Sequence, residues 1–141
     1  MKKLILKKMK KNNLILIIAR KGSKDNVSRQ NLRLVNEKPL IHYIIDTAKK
    51  CSSADIYVST ESEEIQEVAL LNNVNVIKRP NSLVGDSTTI EEISLHALDE
   101  LKKNKRIYKK CLVTHPKFPL ITENTINKFF SNLDNKRKII F

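Results

Sequence analysis

At 141 residues the chain makes one domain, long enough to bury a proper core. Its net charge of +12, from 27 basic against 15 acidic side chains, raises nucleic-acid binding, but none of its three tyrosines and four phenylalanines interleaves with a basic stripe as base stacking requires; the excess reads as solvated lysine faces, with a phosphate-bearing ligand drawing part of it. No apolar run approaches the ~20 residues of a membrane helix, and Leu4-Ile5-Leu6 is too short for the core of a secretory signal, so a cytoplasmic protein without a membrane partner is expected.

Residues 1–12 read as a basic leader, and residues 13–141 as one nucleotide-binding domain. Leu14-Ile15-Leu16-Ile17-Ile18-Ala19 is a run of large apolar residues closed by alanine, the pattern of a strand buried on both faces of a parallel sheet. It empties into Arg20-Lys21-Gly22-Ser23-Lys24, with Arg29-Gln30-Asn31 beyond. A central strand that ends in a basic loop is how open α/β sheets hold phosphates. Gly22 lets the backbone approach an anion, and Ser23 adds a hydroxyl donor.

After a short extended piece over 32–35, Asn36-Glu37-Lys38 reads as a turn and Pro39 as the first residue of a helix with Leu40, Ile41, Ile44, Ile45 and Ala48 on one face. Ala54–Ser59 is a second strand, and Thr60 with Glu63 has the spacing of a capping box for the next helix. That helix buries Ile65, Val68 and Ala69 and ends at Asn72; Val74–Ile77 is a third strand. Residues 78–89 form a loop long enough to be functional, after which Thr88 or Thr89 caps a helix facing inward through Ile90, Ile93, Ala97, Leu98 and Leu101. Tyr108–Thr114 is a fourth strand. A two-proline turn leads to a helix capped by Thr122, with Ile126, Phe129, Phe130 and Leu133 on one face. Lys138–Phe141 begins another strand, and this apolar end reads as a sheet cut short. The alternation of strand and helix predicts a doubly wound, mostly parallel α/β sheet of Rossmann-like type. Cys51 and Cys111, far apart and without a Cys-x-x-Cys spacing, read as reduced structural thiols.

Five ordered segments carry a resemblance. Ala19-Arg20-Lys21-Gly22-Ser23-Lys24 with Arg29-Gln30-Asn31, then Lys38-Pro39-Leu40-Ile41, Val58-Ser59-Thr60-Glu61, Arg79-Pro80-x-x-Leu83-x-Gly85-Asp86-Ser87 and Thr114-His115-Pro116-Lys117-Phe118-Pro119-Leu120 resemble the acylneuraminate cytidylyltransferases, the CMP-sialic acid synthetases. The resemblance implies a nucleotide-diphosphosugar transferase type of fold. It also implies a reaction in which the anomeric hydroxyl of a sialic-type acid attacks the α-phosphate of CTP, giving CMP-sugar and pyrophosphate with Mg²⁺ bridging phosphates. On that likeness Arg20 and Lys24 are the candidate catalytic residues, and Arg20, Ser23, Lys24, Asn31, Arg79, Thr89 and His115 the candidate CTP-binding set. Positive charge and fixed donors around a triphosphate suit that chemistry.

The departures are specific. Lys21 and Asp25 stand where the family has small or neutral residues, one residue is inserted between Lys24 and Arg29, and His115 replaces a glutamine. No counterpart of the family's later Asp-x-Asp metal ligands, acceptor-sugar contacts or dimer arm is present, so no metal ligand is assigned. The expectation is the nucleotide-binding part alone, with a homodimer or a complementing chain as possible partner. The alternative is a non-catalytic nucleotide- or RNA-binding module. For Arg20, Lys24 and Arg79 the competing reading is an ordinary surface cation; for Asn31 and Thr89 it is a turn or cap residue.

Overall fold

The computed structural model describes residues 10–22 and 29–133, and the backbone of residues 139–140. Ser23, Lys24 and Asp25, and the segment at 1–9, lie outside the described residues.

The expected central strand is β1, Asn13–Ile18. Leu14, Ile15, Leu16 and Ile17 have no exposed surface at all. Their side chains alternate. Ile15, Ile17 and Ala19 enter one core, and Leu14, Leu16 and Ile18 enter the other. Each of the leucines and isoleucines contributes about 1.5–3 kcal/mol of apolar burial, so β1 is shared by both layers.

A short 3₁₀ turn, Gln30–Leu32, leads into a hairpin of β2 (Leu34–Val35) and β3 (Lys38–Pro39). The Asn36-Glu37 turn has both residues at positive φ, 50° and 65°, the geometry that fits a two-residue hairpin loop. Helix α1 runs Leu40–Lys49, so Pro39 sits just before the first helical residue rather than within it. Its extended backbone pairs with Leu34.

Strand β4 is Ala54–Thr60 and helix α2 is Glu63–Leu71. The cap of α2 is Ser62, whose hydroxyl accepts from the Ile65 N–H at 3.4 Å. This corrects the expected Thr60–Glu63 box. Thr60 is still paired in the sheet with Lys78, and its Oγ1 accepts from the Ser62 N–H instead. Strand β5 (Asn75–Lys78) is followed by a 3₁₀ turn at Asn81–Leu83 and then α3 (Ile90–Lys103). Strand β6 (Lys110–Thr114), α4 (Glu123–Asn132) and β7 (Ile139–Ile140) complete the order. The Thr122 hydroxyl accepts from the Thr125 N–H, as a cap should.

The main sheet has the order β5-β4-β1-β6-β7, all pairs parallel. Side chains of α1, α2 and α4 share one core with β1, β4 and β6, while α3 packs on the other face through Ile93, Ala97 and Leu101. The first two crossovers run outward from β1 on one face, and the return to β6 carries α3 on the opposite face. That is the doubly wound arrangement, and its switch point lies between β1 and β6.

Candidate nucleotide site

At a switch point the two neighbouring crossovers leave in opposite directions, which opens a crevice at the carboxyl ends of the strands. Here that crevice is a cavity of about 270 Å³. It lies among the loop after β1, the 79–89 loop and the turn after β6.

The β1 loop begins in the sheet. The Ala19 N–H still donates to Ser59 O at 3.1 Å, so the ladder persists one residue past β1. Beyond it Gly22 adopts φ 129°, open to glycine without strain. Asn31 folds back and donates from Nδ2 to Arg20 O at 2.8 Å, which fixes the width of the loop. The Lys21 N–H donates to Glu61 Oε1 at 2.7 Å, tying the same loop to the end of β4. Arg29, at the far side of the loop, pairs with Glu64.

Arg20 reaches across the cavity. Its Nη1 donates to Asp86 Oδ1 at 2.8 Å and to Val84 O at 3.3 Å, joining the β1 loop to the 79–89 loop. Arg20 is about a third exposed and Asp86 mostly so, which makes this pair a weak lock.

Arg79 is a different kind of cation. It is only 2% exposed, so the surface-cation reading fails for this residue. Its backbone N–H extends the β5–β4 ladder to Thr60 O, and its guanidinium donates from Nη2 to Ser59 O at 2.8 Å and from Nε to Ser59 Oγ at 3.3 Å. Burial lowers its pKa from the ordinary arginine value, the Glu61 carboxylate pulls it back up, and Arg20 lowers it. It stays cationic because arginine does not lose its proton in proteins. Ser59 therefore accepts from both sides of the site, and Glu61 lies between the loop it holds and the guanidinium it stabilises.

His115, at the end of β6, lines the same cavity with Lys117. Burial lowers the imidazole pKa from its usual 6.5, Lys117 and Arg79 lower it further, and a hydrogen bond with the Ile18 backbone opposes them. Its Nε2 is buried without a hydrogen-bond partner among the described residues.

The structure thus brings Arg20, Asn31, Arg79 and His115 to one cavity. Thr89 stands apart from them. Its hydroxyl accepts from the Glu92 N–H at 3.1 Å while the Glu92 carboxylate accepts from the Thr89 N–H at 2.7 Å, a complete capping box; Thr88 lines the cavity instead. Ser23 and Lys24 lie outside the described residues. Ser59, Glu61, Asp86 and Lys117 were not singled out from the sequence. Each lies inside a motif quoted above and at the carboxyl end of a strand or in the loop beyond it, which is the signal that could have found them.

Among the described residues the cavity presents three cations, Arg20, Arg79 and Lys117, against one acid, Asp86. Such an arrangement suits a polyanion with a polar body. Among the described residues no group of three or more His, Cys, Asp and Glu is placed to hold a metal, and no helix is long and apolar enough to cross a membrane.

The chain is similar to known proteins in sequence and in fold. The cytidylyltransferase family model matches residues 14–139. The chain is 30% identical over 132 residues to a pseudaminic acid cytidylyltransferase of Campylobacter jejuni, covering 92% of this chain and 56% of that protein. It is 34% identical over 127 residues to N-acylneuraminate cytidylyltransferase A of Danio rerio, covering 82% of this chain and 29% of that one. Among solved structures, a CMP:2-keto-3-deoxy-manno-octonic acid synthetase complexed with CTP superposes with a TM-score of 0.68 at 16% identity, over 85% of this chain and 46% of that one. A cytidylyltransferase from Leptospira borgpetersenii gives 0.66 at 17% identity, over 87% and 49%. The structural likeness shows the fold, and the chain spans about half the length or less of these relatives. With the family model covering nearly all of the sequence, the chain belongs to the cytidylyltransferase family.

Proposed function

We propose that this chain is the nucleotide-binding part of an enzyme that activates a sialic-type sugar acid with CTP. The convergence of Arg20, Asn31, Arg79 and His115 on the switch-point cavity carries the reading. In it the β1 loop receives the triphosphate, and Arg20, with Ser23 and Lys24 from the same loop, supplies charge and donors. Asn31 holds the loop open at a fixed width, and the cavity between Arg79, the 79–89 loop and His115 receives the nucleoside. Transfer of CMP to the anomeric hydroxyl of the acid, with loss of pyrophosphate, is the whole protein's reaction; the acid's own contacts belong to a further segment or a second chain.

Mg²⁺, when bound, would supply Lewis-acid polarisation at the phosphates. Asp86 is the one carboxylate lining the cavity among the described residues, and Arg20 holds it, so no protein cage for the ion is assigned and no step is routed through it.

Calorimetric titration with CTP and Mg²⁺ tests the reading. Saturable one-site binding that is weakened at least tenfold in Arg20→Ala supports it. Equal affinity in both proteins, or no binding by the wild type, overturns it.

A further inference from the structure

Among the four candidate residues that meet at the cavity, His115 stands apart. Arg20, Asn31 and Arg79 are each hydrogen-bonded within the protein, whereas His115 Nε2 is buried with no partner among the described residues. The ring meets Phe118 edge to face at 6.3 Å and 72°, and the Ile18 backbone of β1 favours its protonated form. A neutral imidazole that donates from one nitrogen offers a lone pair at the other. His115 lines a basic cavity. Lys117 acts on the ring from its own turn and Arg79 from the end of β5. Arg20 and Asp86, across the cavity, are tied to each other, and the Glu61 carboxylate acts on Arg79.

We propose, resting on the CTP-binding reading above, that His115 is a ligand-contacting residue that takes up a proton at Nε2 when a nucleoside triphosphate fills the cavity. Burial and two like charges disfavour the imidazolium in the ligand-free protein. A triphosphate in the β1 loop brings several negative charges into the same cavity as those cations. It offsets their repulsion of an imidazolium, and an acceptor atom of the nucleoside meets the new N–H. The proton comes from solvent, one N–H bond forms, and no other bond changes. The glutamine of the motif that this turn resembles cannot titrate, so the coupling is peculiar to the histidine.

The sign follows from linkage. A group whose pKa rises on binding tightens binding as pH falls through the pKa of the complex, and the gain levels off below the pKa of the free protein. For one proton the limiting slope is about tenfold in affinity per pH unit. The nucleotide also titrates, so the readout is the ratio of wild type to His115→Gln.

Calorimetry with CTP from pH 8 to pH 5.5, in two buffers of different ionisation enthalpy, measures both affinity and proton uptake. Expected is a wild-type to His115→Gln affinity ratio that climbs severalfold as pH falls, with net proton uptake in the wild type that the variant lacks. A ratio that is flat or falls with acidification overturns the proposal while leaving CTP binding intact. Absence of CTP binding by the wild type at pH 8 overturns the functional reading itself, and this proposal with it. A histidine titration by NMR, with the His115 signal assigned by its loss in His115→Gln, gives a second readout: its midpoint rises when CTP is added, and an unchanged or lower midpoint refutes the coupling.

Discussion

Arg79→Met tests whether the site is built on a buried cation. The guanidinium sits at 2% exposure and makes one charge-assisted bond to Ser59 O and a longer one to Ser59 Oγ. The carbonyl keeps the Ala19 N–H after substitution, but the fully buried hydroxyl loses the Arg79 donor. The first bond contributes about 1.5–3 kcal/mol and the second about 0.5–1.5 kcal/mol. Methionine retains most of the alkyl packing, so the net loss is about 2–4 kcal/mol. For a domain of this size that lowers the melting temperature by roughly 10 °C. Glu61 loses its neighbouring positive charge in the same variant, and the Lys21 N–H is then held by a less firmly placed carboxylate. Thermal unfolding followed by circular dichroism, with Arg79→Lys beside Arg79→Met, is the assay. Lysine keeps the charge but not the two-donor edge, so it falls between the wild type and methionine. A methionine variant that melts within about 2 °C of the wild type would refute the claim that Arg79 organises the strand ends.

Further outcomes follow from the same geometry. Thr89→Ala loses the α3 capping box and about 1 kcal/mol of stability. Its CTP affinity in calorimetry stays within twofold of the wild type, because the hydroxyl belongs to the helix. Asp86→Asn changes stability by less than about 1 kcal/mol, since its pair with Arg20 is largely solvated; with Arg20 freed, CTP binds at least as tightly. Burial pushes the Cys111 thiol up to about 12, so an aromatic disulfide reagent leaves it unlabelled in the native protein at pH 8 and labels it after denaturation. The folded-state pKa of His115 is depressed, so its contribution to stability is present above pH 6.5 and is lost as pH falls through the folded value. Denaturant midpoints of His115→Gln therefore fall less than those of the wild type on acidification.

The architecture was legible because its signals are redundant. The apolar run at 14–18 could pack only if both faces were covered, and helices with one apolar stripe each supplied the covers. Local chemistry was less legible where two nearby residues could serve one purpose. Thr60 and Ser62 both offer a hydroxyl before α2, and pairing of Thr60 with β5 leaves the cap to Ser62. Thr88 and Thr89 divided in the same way, one toward the cavity and one to the helix. Pro39 suits a first helical turn by its fixed φ, yet the two-residue turn at Asn36-Glu37 draws it into a hairpin. The motifs brought Arg20, Asn31, Arg79 and His115 into the candidate set, but not how each is held. That Arg79 is buried, that Glu61 links the β1 loop to it, and that Arg20 is paired with Asp86 are properties of three strand ends meeting, which no spacing along one strand encodes.

The central claim is that the nucleotide binds at the switch point between β1 and β6, and backbone amide NMR during a CTP titration tests it most directly. The account predicts saturable shifts at Gly22, Asn31, Gly85 and His115, while Arg106 and Tyr108, beside a separate basic cleft near the start of β6, stay in place. Shifts confined to that cleft, with the residues of the switch-point cavity unmoved, would contradict it.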